Sequence, residues 1–534
     1  MKKYKMNYKK ILVFSLITVL SVTTFTGCNK EKGSKKNEVL ESKYASEYPI
    51  DAKDKTLTYW MPMTANISNS ATNYGDLPVA KELEKRTGIK VEYIHPSLTN
   101  HLEKFNLMIA GGDLPDIIQY YWSTYPGGPQ AAIDEGVILP LNSIMNSYAT
   151  NFKQLMEKHP DVAREAKTDE GNFFAFGVVA ADRKLNTSAG PIIRLDWLEE
   201  LGLEKPETID EWYTVLKAFK EKKNASAPLS MGMNGIYNDT FIGAYGISYD
   251  FYQIDGKVKY GPAQKEYKEF LTTMKKWYDE GLYDQNFSTN DAAAINANML
   301  NGNAGATWNA LGGGIGVLTN AATDPKAVYG GAPYPTHKKG EPPKFGQAGS
   351  PFNPLTAITT KCKDVELAAK FLDYGYTDAG KTLFNFGIEG TSYEMVDGKP
   401  KYTELITKNP NGLSMSQALT LYSHGGQNGS FEQDLGYLEQ YAGLPQQQEA
   451  WNLWLDTDVF NYRVPSVNVA EEDATEYATI LTDITTYRDE MYIKFVTGTE
   501  SLDNFDKYLA NLEKIGLKRL TEIKQKAYEA YMAR

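Results

Sequence analysis

The chain has 534 residues, of which 42% are hydrophobic and 23% charged, a balance that fits a soluble globular protein and excludes a disordered or collagen-like one. Its 56 Lys and Arg stand against 67 Asp and Glu, and the net charge of −11 offers no general attraction for nucleic acid. Two cysteines cannot build a disulfide framework, and together with five histidines they are too few for most zinc sites.

In chain order, Lys2, Lys3, Lys5, Lys9 and Lys10 precede an uncharged stretch from Ile11 to Gly27, the order of a secretory signal. A spanning helix needs about 20 predominantly apolar residues, and here Ser and Thr fill the last third of the stretch. The stretch ends in Phe25-Thr26-Gly27-Cys28, which resembles the lipobox of bacterial lipoproteins, with Phe25 where Leu is usual. That resemblance implies that residues 1–27 are removed and that Cys28 is acylated, holding the protein on the extracellular face of the cell membrane. Two acyl chains suffice for stable anchoring where one is marginal. Processing leaves 507 residues with a charge of −16, because the removed segment carries five lysines and no acid. Cys362 is then the remaining thiol, so no intramolecular disulfide can form. Residues 28–53 are polar with little apolar patterning and read as a lipidated, flexible tether.

The folded body opens with Thr56–Met61, an alternating, β-branched run that predicts a strand. Asp76–Thr87 predicts a helix closed by Gly88, Lys90–Ile94 a second strand, Asn100–Ala110 a helix closed by Gly111-Gly112, and Pro115–Tyr120 a third strand. This β-α-β-α-β order predicts parallel strands with right-handed crossovers. Thr208 and Glu211 form a capping box ahead of the stripe Trp212, Val215, Leu216 and Phe219. Tyr267, Phe270, Leu271, Met274 and Trp277 form a second helical stripe, and Val365, Ala368, Ala369 and Leu372 a third. Strand-like runs, Ala304–Trp308 and Leu355–Thr360, flank a Gly- and Pro-rich segment at 330–354. Two C-terminal helices, Ser501–Ile515 and Leu517–Met532, are divided by Gly516. Most aromatics on these stripes read as core residues.

Catalytic signatures are poor. The sequence has no Gly-x-Ser-x-Gly, His-Glu-x-x-His or Walker lysine loop. Gly312–Gly316 lacks the following Lys-Ser/Thr of a phosphate cradle and reads as a loop or a close backbone approach. Asp169-Glu170-Gly171, Asp255-Gly256 and Asp397-Gly398 read as hairpin turns. Carboxylate pairs suited to glycoside hydrolysis are inevitable among 67 acids, and nothing singles one out. Aromatics are placed more pointedly. Trp60 ends the first strand, Tyr121 and Trp122 follow the third, and Trp308 ends the strand near 304–308. Aromatic faces suit the C–H faces of sugar rings, and open α/β sheets bind ligands beyond their carboxyl strand ends. The competing reading is that these rings cover the sheet edge.

Five segments in this order resemble the extracellular solute-binding proteins of ABC importers, family 1, and in particular the large carbohydrate-binding lipoproteins of the LplA/LipO type. They are Gly111–Ile117, Ile193–Leu198 with Asp210–Trp212, Tyr278–Leu282, Asn385–Glu394, and Lys494–Gly498 with Ser501–Asp503. The resemblance implies an α/β, two-lobed periplasmic-binding-protein-like fold of type II, each lobe a mostly parallel sheet flanked by helices with a hinge between them. By similarity the first lobe would be 54–175 and 336–395, and the second 176–335 and 396–534. The implied function is capture of an oligosaccharide between the lobes by a monomer, without catalysis or cofactor, for two permease subunits served by a cytoplasmic ATPase. Trp60, Tyr121, Trp122 and Trp308 would stack on sugar, and Arg194 and Glu389 would hold hydroxyls; a structural ion pair or a helix-end contact is the other reading of those two. Alginate-binding relatives carry a calcium loop before the Asp196-Trp197 segment, and this chain has no such acidic run, so no metal is expected. A surface glycoside hydrolase or lyase, or a sensor feeding a membrane kinase, are the alternatives.

Overall fold

The structure is a computed structural model that describes residues 39–534, apart from Thr64, Asn69, Ser70, Leu98, Thr99 and 425–428. The signal, Cys28 and the start of the tether therefore lie outside the described residues. Among the described residues the strands form a six-stranded sheet, a three-stranded sheet and two hairpins.

The six-stranded sheet contains β1 (Thr56–Trp60), β2 (Lys90–Ile94), β3 (Ile117–Tyr120) and β4 (Phe176–Val179). The three-stranded sheet is built on β5 (Ala189–Arg194), between β8 (Ala306–Ala310) and β9 (Tyr329–Gly331). Hairpins β6 (Phe251–Ile254)–β7 (Lys257–Tyr260) and β11 (Tyr393–Val396)–β12 (Lys399–Tyr402) turn at Asp255-Gly256 and Asp397-Gly398, with positive φ at all four turn residues, as paired hairpin turns require. Strands β10 (Phe352–Ile358) and β13 (Phe431–Glu432) complete the large sheet in the order β13-β4-β10-β3-β1-β2.

The expected parallel pairing is present, with β1 parallel to both β2 and β3. β3 and β4 are buried at every position, as strands covered on both faces must be. One strand in each sheet runs against its neighbours: β10 is antiparallel to β3 and β4, and β5 is antiparallel to β8 and β9. The small sheet is thus antiparallel, where a mostly parallel one is expected. The reason is connectivity. β5 and β10 are each the first strand after a crossing between lobes. Each starts at the edge where its neighbours finish and must run away from it.

Three cores follow from this layout. One surrounds the six-stranded sheet. Successive residues of β5 face opposite sides, so Ile193 enters a second core with the helices Ile209–Lys223, Lys265–Asp279 and Glu471–Thr497, and Ile192 a third with Trp451 and Trp454. The Thr208–Glu211 capping box is made in full. The lobe limits move from those expected: β4 and β13 belong to the first sheet, while Phe345 belongs to the second core. Two crossings therefore fall at 180–188 and 346–351 rather than at 175/176 and 335/336, and the chain crosses a third time after β13 rather than at 395/396.

The expected tether also shortens. From Leu40 onward the chain lies on the first lobe, and Ile50 and Ala52 are buried in its core. Ile50 N donates to Thr87 O at the end of the helix Pro78–Thr87. That helix stops at Gly88, whose φ is +72°; a Cβ there would come within 2.3 Å of the Ile50 carbonyl oxygen. Gly112 closes its helix at φ +69° with open space around it. The left-handed backbone alone costs a side chain about 1–2 kcal/mol. Gly112→Ala should lose about that much in urea unfolding, and Gly88→Ala measurably more, because a backbone oxygen has to move as well.

Candidate ligand-binding cleft

β1, β2 and β3 end at one edge of the large sheet, the edge at which open α/β sheets take ligands. β4 ends there too, since Val179 lies opposite Phe352, the first residue of β10. The crossing segments leave from this edge side by side. Ala180 N donates to Pro351 O (2.9 Å), Gly349 N to Asn186 O (2.7 Å) and Ser188 N to Gln347 Oε1 (2.9 Å). The second lobe meets the junction through the end of β8, where Ala310 is opposite Ala189 and Leu311 N donates to Ser188 O (2.8 Å). Tyr334 OH ties the two crossings together, donating to Ala189 O and accepting from Gln347 N, both at 3.0 Å.

Two histidines organise the first lobe's rim. His95 follows β2; its Nε2 accepts from Tyr74 N (3.0 Å) and its Nδ1 faces Met61 O (2.9 Å). A backbone N–H on one nitrogen and a carbonyl on the other fix the neutral tautomer, with the proton on Nδ1. Burial lowers the pKa of His95, in keeping with that assignment. His424 stacks on Tyr74 with ring centroids 5.4 Å apart, lies 2.8 Å from the Tyr74 hydroxyl, and is walled by Phe384 and Phe431. Burial drives its pKa down to about 3. Gly429 N reaches Gln119 Oε1 in β3 at 3.2 Å. The residues that follow β1 and β2, together with His424 and Gly429, are thus gathered at the strand ends.

The expected site residues separate into groups. Trp60 is 4% exposed, against Phe105, and Trp122 is fully buried among Phe105, Tyr120 and Tyr125. Neither offers a ring face to a ligand: both strand-end positions turn inward and are roofed by the helix His101–Gly111, whose one fully buried residue is Phe105. Tyr121, between them, is 52% exposed. Trp308 on β8 is half-buried beside the second core, with Gly235 against it; a Cβ at Gly235 would come within 3.1 Å of the Trp308 Cβ. Arg194 is 3% exposed at the end of β5 remote from the junction. It donates to both carboxylate oxygens of Asp196 (2.8 and 2.5 Å) and stacks on Trp197. Its role is a structural ion pair. Glu389 is exposed in the turn leading into the β11–β12 hairpin, and among the described residues no contact joins it to the other five.

His95, Gln119, Asn186, Gln347 and His424 were missed by sequence reasoning. The scarcity of histidine was the one available signal. Gly312–Gly316 form a close approach, as expected: a Cβ on Gly312 would strike Tyr441, and one on Gly314 would strike Ile192 and Asn309. Beside the crossings a cavity of about 340 Å³ is lined from both lobes, with Glu165 of the first paired to Arg463 of the second (2.8 Å). Arg463 also donates to Gly349 O in the second crossing (2.6 Å). Among the described residues no group of three or more His, Cys, Asp or Glu is placed to hold a metal, and no helix is long and apolar enough to cross a membrane.

The buried imidazole sets a pH dependence. Below pH 6.5 the unfolded chain takes up a proton at His424 that the folded chain refuses down to about pH 3. Stability present above pH 6.5 is therefore lost as the pH falls, by about 2 kcal/mol at pH 5. Asp239, whose pKa burial pushes up to about 7, acts in the opposite sense, its contribution fading as the pH rises. Comparison with His424→Gln isolates the first effect: the fall in urea-unfolding free energy between pH 7 and 5 should be about 2 kcal/mol smaller in the variant.

Comparison with known proteins places these features in a family. Residues 69–382, more than half of the chain, match the bacterial extracellular solute-binding protein family. The chain is 26% identical to the fructooligosaccharide ABC transporter substrate-binding protein FusA of Streptococcus pneumoniae, over 99% of both chains. It is 30% identical to lipoprotein LipO of Bacillus subtilis, over 65% of this chain and 69% of LipO. It is also similar to the crystal structure of alginate-binding protein AlgQ2 without calcium ion, with TM-score 0.71, 29% identity, and coverage of 89% of this chain and 98% of that one. Two sheets joined by paired crossings, with a family match that runs from before β2 to beyond β10 and covers both crossings, make this chain a member of the bacterial extracellular solute-binding protein family.

Proposed function

We propose that the protein is the substrate-binding lipoprotein of an ABC importer. It is held at Cys28 on the extracellular face of the membrane, and it captures an oligosaccharide between its lobes for two permease subunits driven by a cytoplasmic ATPase. The observation that carries the reading is the junction itself. Both lobes end strands at one edge, and paired backbone segments join them there, as a hinge that closes on a ligand would be built. The relatives support the cargo class, FusA by its fructooligosaccharides and AlgQ2 by alginate. LipO, a lipoprotein, supports the anchoring.

In this reading Tyr121 from the first lobe and Trp308 from the second are the stacking rings, because they are the two expected aromatics that keep accessible surface. The binding is non-catalytic. A closed lobe pair gives the permease a surface distinct from the open form, and a ligand shifts that equilibrium only through its greater affinity for the closed state.

Titration calorimetry of the mature chain against a panel of oligosaccharides, including fructooligosaccharides and uronate oligomers, tests the reading. One sugar class should bind and be recovered unchanged. Tyr121→Ala and Trp308→Ala should each lose about 1–2 kcal/mol, roughly five- to thirtyfold in affinity. Trp60→Ala and Trp122→Ala should instead lower stability. Binding of a peptide or a metal with no response to any sugar, or release of cleaved sugar, would overturn it.

A further inference from the structure

The segment that follows the anchor is seated on the first lobe by a continuous run of bonds. Leu40 N donates to Ser147 Oγ (2.8 Å), and the Tyr148 hydroxyl donates to Glu41 O (2.9 Å). The Glu366 carboxylate then accepts three donors in succession: Ser42 Oγ (2.5 Å), Lys43 N (2.7 Å) and Tyr44 N (3.1 Å). Tyr44 OH donates to Asp364 (2.6 Å), Lys370 Nζ donates to Ala45 O (3.0 Å), and Tyr48 OH donates to Lys370 O (2.6 Å). The Tyr48 ring meets Tyr374 edge-on at 5.0 Å.

The centre of this contact is a buried ion pair. Glu366 and Lys370, one turn apart on the helix Val365–Asp373, are 3% and 7% exposed and 3.7 Å from each other. Two charges taken out of water are tolerated only when hydrogen bonds satisfy their remaining capacity. Here those bonds come from residues 42–45. The segment is mostly exposed between Leu40 and Ile50, with Tyr44 and Tyr48 resting partly buried against the lobe and Ile50 entering its core, so polar bonds supply much of its hold. The lobe carries a charge pair that fits this backbone.

We propose that Leu40–Ile50 is a docking strap, and that the helix Val365–Asp373 is its receptor, so that the first lobe alone bears the lipid anchor. The anchoring half rests on acylation of Cys28, as in the function proposed above; the docking half does not. The chain between Cys28 and the strap is 11 residues, 29–39, rather than the 25 of a tether reaching residue 53. At no more than about 3.5 Å per residue, the greatest possible reach falls from about 90 Å to about 40 Å. A shorter leash raises the effective concentration of the body at a partner in the same membrane. The second lobe remains free to move about the crossings, because the strap's bonds described above all end on the first lobe.

The test is limited trypsin digestion of the mature chain under native conditions, timing cleavage after Lys43 by mass spectrometry, alongside amide exchange of residues 40–50. Glu366→Gln removes the charge and one of the two acceptor oxygens from the lobe. The double variant Ser42→Ala, Tyr44→Phe removes side-chain donors from the strap while leaving both residues of the buried pair in place, so it reports on docking even if Glu366→Gln fails to fold. Both variants should be cut after Lys43 at least tenfold faster than wild type, with unchanged ligand affinity. Equal cleavage rates in wild type and the double variant, or unprotected amides at Lys43 and Tyr44 in wild type, overturn the docking. The mass of the N-terminal peptide from membrane-derived protein reads Cys28 acylation separately: protection at Lys43 without acylation keeps the strap and removes the leash.

Discussion

The arrangement of this protein depends on one backbone constraint, the pairing of two segments that cross between lobes. Ala180, Asn186 and Ser188 on one segment bond to Pro351, Gly349 and Gln347 on the other, so the crossings move as a pair. Because both start at the edge where β1 to β4 finish, the incoming strands β10 and β5 must run against their neighbours. That reversal puts the end of β8, with Trp308, beside the same junction as the ends of β1 to β3. The cleft is therefore a consequence of how the chain enters each sheet. Side chains then tune the joint: Tyr334 bridges the crossings, and Arg463 reaches both Gly349 and Glu165.

The abundant aromatics divide between core and surface by what lies above them. Trp122 and Tyr121 are adjacent in sequence and differ completely in accessibility, because Phe105 and Tyr125 close over one and leave the other. Many tyrosines are inside: Tyr267, Tyr283 and Tyr492 are all fully buried. Burial raises the pKa of each of these phenols, so they remain neutral under physiological conditions. The rim histidines are held neutral by the opposite effect of the same burial, since for imidazole the charged form is the protonated one.

Charge is handled locally as well. The net charge is acidic, yet several buried or partly buried ions are paired: Arg194 with Asp196, Arg463 with Glu165, Glu366 with Lys370. Two of these pairs join distant parts of the chain or hold a segment that does, and the third braces the start of one helix. Salt screens exposed charges well and buried pairs poorly, so these contacts keep their strength at physiological ionic strength.

The amino-acid sequence by itself determined the local elements whose signals are short-range. The β-α-β-α-β opening, the Thr208–Glu211 capping box, the 267–277 stripe and the Asp-Gly hairpins were all legible, because period, cap and turn chemistry act over a few residues. The helix Glu471–Thr497 escaped reading because its first half is polar and its buried residues cluster near its end. Tertiary structure alone decided which strand-end aromatics stay exposed, that Arg194 serves an ion pair, and that residues from Leu40 onward belong to the first lobe. The reason is common to all three. Burial and pairing belong to neighbours brought from far along the chain, as when Ser42 meets Glu366 across 324 positions, and no local pattern encodes that meeting.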